Sequence, residues 1–145
     1  MKSFQFPLER ALGWRQTQLE QAELRFKQQA GALAEIDHER AEVEAADFCA
    51  EIEVRAWRPV WGGDLAALGR FRLQTQRREA ALHARRVECE KELDQRHKAM
   101  MEARRRLRLL ERLKERRVAE WRAACDRELE QQAAESFLAQ WPLRQ

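Results

Sequence analysis

The chain has 145 residues, a formal net charge of +3, charged side chains at 37% of positions and aromatic ones at 8%. A compact globule of this length buries roughly two thirds of its chain surface, which leaves too little outside for so many ionised groups. The composition therefore excludes an ordinary globular domain and points to long helices, while the near-balanced charge does not indicate a general polyanion binder, although its local distribution is uneven. Cys49, Cys89 and Cys125 are odd in number and far apart, so they form neither a disulfide framework nor a zinc spacing, and a reducing cytoplasm is expected. Glu9 and Arg10 arrive before any apolar run develops, so no signal peptide is expected. No stretch approaches the ~20 apolar residues that span a bilayer.

Taken in order, the first helix is expected over about residues 7–57, with Pro7 suited to a first helical turn and Glu9 to its positive end. A 3-4 apolar spacing runs through Leu8, Leu12, Arg15, Leu19, Ala22, Phe26, Gln29, Leu33, Ile36, Arg40, Val43, Asp47, Ala50, Val54, Trp57 and Trp61. Twelve of these sixteen positions are apolar, which predicts one narrow face buried against a second helix. Residues 58–64, Arg58-Pro59-Val60-Trp61-Gly62-Gly63-Asp64, read as the bend. Proline disfavours helix before it, the glycine pair supplies unusual backbone angles, and Asp64 can cap the helix that follows.

The second helix is expected over about 65–139, closed by Pro142. Its seam is poorer, made of Leu65, Leu68, Leu82, Cys89, Leu93, Met100, Ala103, Leu107 and Leu110. Beyond these, Val118, Trp121, Cys125 and Leu129 imply one extra four-residue step, a stutter. The fold class that results is all-α: a long antiparallel two-helix coiled-coil hairpin with an overhanging C-terminal helix. Helix lengths pair positions whose numbers sum to roughly 122, so residues past about 115 should have no partner from their own chain. Charge points to the same register. Residues 35–53 carry eight acids against Arg40, and residues 69–87 carry six arginines against Glu79. Two solvated faces are the other reading of these strips.

Residues 104–117 hold eight bases and two acids. A protein partner, a solvated face and nucleic acid are the three readings of this block. No aromatics interleave for base stacking and no zipper follows, so a nucleic-acid partner is not expected. Trp121 and Trp141 read equally as partner-binding side chains or as cover for the Phe4–Phe6 end of their own chain. Leu68, Phe71 and Leu73 cluster just after the bend, as core or as a docking point. His38 and His83 fall nearly level, but two histidines make a poor metal site. With no phosphate loop, nucleophile set or enclosed pocket in prospect, the chain is expected to be no enzyme and to need no cofactor or metal.

Phe4-Gln5-Phe6-Pro7-Leu8-Glu9-Arg10-Ala11-Leu12, followed by Arg15 and Glu20, resembles the opening of the FliJ family, a soluble component of the bacterial flagellar type III export apparatus. Leu110-Glu111-Arg112-Leu113-Lys114-Glu115-Arg116-Arg117, then Trp121, Glu130-Gln131 and Glu135, resembles its carboxy-terminal pattern, and Gly62 to Phe71 is similar to its bend. The bend departs from the family at Gly69-Arg70, and the second seam is unusually rich in arginine. The resemblance implies a stalk-like coiled coil that inserts into the export ATPase ring, contacts the membrane export gate and handles export chaperones. It would work in the cytoplasm, peripherally at the inner membrane of the flagellar base, and be monomeric when free. On that reading Arg112, Lys114, Arg116, Arg117 and Trp121 meet the ATPase ring, and Leu68 and Phe71 at the bend meet the gate. The alternatives are a structural coiled-coil scaffold and the equivalent stalk of a virulence type III secretion system.

Overall fold

A computed structural model describes residues 3–57 and 59–140. Two helices, α1 (Glu9–Ala56) and α2 (Gly62–Gln140), pack against each other, and the described residues contain no strand. Pro142, Trp141 and Arg58 lie outside the described residues, so the expected helix stop, one tryptophan and one bend position have no structural counterpart here. Contacts divide the chain into two units, one of Gln21–Met100 and the other of the described residues up to Glu20 and from Met101 on.

Within Gln21–Met100 the contacts descend α2 as they ascend α1. The Gln29 side-chain amide approaches Cys89 Sγ at 3.2 Å, Asp37 binds Arg86 at 2.7 Å, and Glu51 binds Arg72 at 3.0 Å. The helices of this unit are therefore antiparallel. Every α1 seam position from Ala22 to Val54 is buried or half-buried, with Ile36, Val43 and Val54 the most enclosed. Trp57 and Trp61, expected to extend the seam, are exposed instead, because α1 ends at Ala56 and no partner face continues beyond it.

The α2 seam is longer than its apolar residues suggest. Arg72, Thr75, Glu79, Arg86 and Arg96 fill the gaps between Leu68, Leu82, Cys89, Leu93 and Met100 at unbroken 3-4 spacing, all half-buried or buried. Long charged side chains can do this by laying their methylenes on the seam while the head group reaches its edge. Thr75 does it by donating its hydroxyl to the Phe71 carbonyl at 3.0 Å, which removes the cost of burying it.

The connection also differs from expectation. Gly62 and Gly63 are the first residues of α2, not the turn, and neither has a left-handed backbone. The turn lies before them, where Pro59 limits the backbone. Asp64 accepts a hydrogen bond from the Trp61 backbone N–H at 3.1 Å, while its own N–H donates to the Trp61 carbonyl at 3.0 Å. It thus reaches back one turn to the cap residue, where the sequence reading put Asp64 itself at the cap.

In the other unit, α1 starts at Glu9, just after a turn at Pro7-Leu8 closed by Glu9 N–H to Phe6 carbonyl at 3.2 Å. Leu8, expected on the seam, is exposed in that turn. Leu12, Arg15 and Leu19 of α1 and Ala103, Leu107 and Leu110 of α2 line the packed faces. Two successive four-residue steps, Leu110 to Lys114 to Val118, carry the half-buried α2 face on to Trp121 and Cys125, the position of the expected stutter. Loss of cover was expected past about residue 115, but Phe4 seats against Trp121 at 6.0 Å between ring centroids, tilted by 55°. The non-helical residues before Glu9 extend the cover, and every residue from Asp126 to Gln140 is helical and exposed.

Candidate functional site: a basic helix face and an apolar turn

The face of α2 opposite its packed side carries Arg105, Arg108, Arg112 and Arg116. At 3.6 residues per turn these fall on one line, half a turn away from Leu107, Leu110 and Lys114. All four are exposed, and none makes an ion pair among the described residues. Unpaired guanidinium groups so arranged suit carboxylates or phosphates, which they bind in a planar fork.

The residues singled out from the sequence do not all share this face. Arg112 and Arg116 do. Lys114 is half-buried on the packed side and bonds Glu9 at 2.8 Å. Arg117 pairs with Glu120 at 3.0 Å. Trp121 is half-buried against Phe4, so it covers its own chain's end. Arg105 and Arg108 were passed over as members of a general basic block, although their spacing to Arg112 already puts them on its line. Beside the stripe, Leu12, Val118, Ala119, Ala123 and Asp126 border an open groove of about 1000 Å³ whose rim carries Glu111, Lys114, Glu115 and Arg122.

At the turn, Leu68 is half-buried on the packed face, and Phe71 is exposed and presents its carbonyl to Thr75. The larger apolar surface belongs to residues not chosen from the sequence. Trp61 is 71% exposed, and Trp57, Val60 and Leu65 are open as well. Sequence periodicity had placed Trp57, Trp61 and Leu65 in the seam, which hid them as surface. Arg70, Arg77 and Arg78, a little further along α2, make no ion pair among the described residues.

The charge strips of Gln21–Met100 meet at three cross-helix pairs, Glu51–Arg72, Glu39–Arg85 and Asp37–Arg86. Arg86 also holds Glu90 at 2.6 Å. Its hydrogen bond to Asp37, with the charges of Asp37 and Glu90, holds the guanidinium above the ordinary arginine value. His38 lies near Glu42 at 3.4 Å. Among the described residues no group of three or more His, Cys, Asp and Glu side chains is placed to hold a metal ion, and no helix is long and apolar enough to cross a membrane. Cys49, Cys89 and Cys125 are all free thiols.

Comparison of the chain with family models, with curated proteins and with solved structures gives no match in any of the three.

Proposed function

We propose that this chain is a soluble component of the bacterial flagellar type III export apparatus, a stalk-like antiparallel coiled-coil hairpin with a C-terminal overhang. In that role it joins the export ATPase ring to the membrane export gate and assists export chaperones, in the cytoplasm at the flagellar base. One observation carries the reading: the two stretches that resemble the FliJ family lie against each other. Phe4 meets Trp121, and Glu9 meets Lys114 at 2.8 Å. A partner that engages this end of the chain therefore meets both stretches together.

On this reading Arg112 and Arg116 face acidic groups of the ATPase ring, with Arg117 beside them, Lys114 and Trp121 fix the end that carries them, and Leu68 and Phe71 belong to the gate-facing turn. The test is charge reversal of Arg112, Arg116 and Arg117 together, measured as stimulation of the purified export ATPase. Stimulation is expected to fall at least tenfold, a loss in keeping with the removal of several charge-assisted contacts. Unchanged stimulation would remove the basic face from this role. Binding of the purified gate protein, in turn, should weaken in Phe71→Ala and not in the triple reversal.

A further inference from the structure

We infer that the outer face of α2 is self-complementary and pairs with the same face of a second copy, antiparallel about a two-fold axis between Ala119 and Ala123. The inference does not rest on the export reading. The line that begins at Arg105, Arg108, Arg112 and Arg116 continues at 3-4 spacing through Ala119 and Ala123 to Asp126, Glu130, Ala133 and Phe137. The face is thus basic at one end, small in the middle and acidic towards the other.

Turning a second copy end for end about the middle sets Ala119 against Ala123, Arg116 against Asp126 and Arg112 against Glu130. Each pairing then occurs twice, as a two-fold interface requires. Alanine at the centre lets the helices approach closely, and the ion pairs fix direction and register. Asp126 and Glu130 make no ion pair among the described residues, nor do Arg112 and Arg116, so the groups that would meet are not already engaged. A parallel arrangement would set arginine on arginine and is disfavoured by like charge. This pairing uses the exposed face and leaves the α1-facing side of α2 as it is. It departs from the single free chain that the sequence suggested, because the second stripe only shows once the first is known to be covered.

The test is sedimentation of the full chain at low salt over a concentration series. A reversible dimer is expected, dissociating as salt rises because its pairs are solvent-exposed. Arg112→Glu and Glu130→Arg should each raise the dissociation constant about tenfold, since each change counts twice. The combined variant should return it to within about threefold of the starting value, the mark of a direct pair. All of these positions are exposed, and an unchanged helical spectrum shows that the variants fold. A chain that stays monomeric at about 0.5 mM and low salt, or a double reversal no better than the singles, would overturn the inference. So would binding of a short RNA that Arg112→Glu abolishes while Glu130→Arg leaves both it and sedimentation unchanged, which assigns the stripe to a polyanion. Glu130→Arg also separates this idea from the export reading. It should weaken self-association and leave ATPase stimulation intact, whereas failure of the export reading alone leaves the sedimentation result standing.

Discussion

The unit Gln21–Met100 and the unit around the chain's two ends use the same helices differently. In the first, the charges of α1 are answered by α2 at Glu39, Asp37 and Glu51, and the seam tolerates Arg72, Glu79, Arg86 and Arg96. In the second, Glu9 and Lys114 pair across the helices, and Arg105, Arg108, Arg112 and Arg116 face outward unanswered. The contrast teaches where to look for function. Charge that is matched inside the chain sets register, and charge left unmatched is available to a partner.

The largest effect should come from the shared feature, the buried seam. Leu82 is 3% exposed, and Leu82→Ala should cost about 2–4 kcal/mol in urea denaturation, whereas Leu109→Ala on an exposed position should cost less than about 0.5. Trp121→Ala should cost about 1–3 kcal/mol through the loss of half-buried ring area and the Phe4 contact. A value near zero would mean that Phe4 does not cover this turn. Next comes the charge contrast itself. Arg86→Ala should lower the unfolding midpoint, by less as salt rises, while Arg112→Ala should leave it in place. The raised value of Arg86 means its contribution is complete below the ordinary arginine value and is lost only as pH climbs through the raised one, so it should not vary across roughly pH 5–9. The smallest change should be a gain. Gly62→Ala and Gly63→Ala sit in helical backbone with nothing within 4 Å of an added Cβ, and each should stabilise by about 0.4–1 kcal/mol. Destabilisation would restore the glycine pair to the turn.

Helix content, the α1 seam and the meeting of acidic and basic strips were legible because each repeats over many turns. What could not be read was local or depended on side-chain reach. Apolarity is a poor guide to Arg72, Thr75 and Arg86, which pack by their methylenes or by a hydroxyl bonded to its own helix. Periodicity overran the end of α1 and assigned Trp57 and Trp61 to a seam that had no partner left. Length arithmetic counted only helical residues, so it missed that Phe4, outside α1, reaches Trp121. The basic block was visible as composition, but its division between the packed side and the outer face needed the position of the seam.

Antiparallel register within one chain underlies all of this, and Gln29 beside Cys89 offers a direct reading of it. These two positions lie 60 residues apart in sequence and within 3.2 Å through their side chains. In a chain with Cys49 and Cys125 changed to serine, Gln29→Cys should oxidise readily to an intramolecular disulfide with Cys89, seen as a faster-migrating monomer on a non-reducing gel. Cross-linked dimers, or two thiols that stay free under oxidation, would show that the helices do not meet in this register.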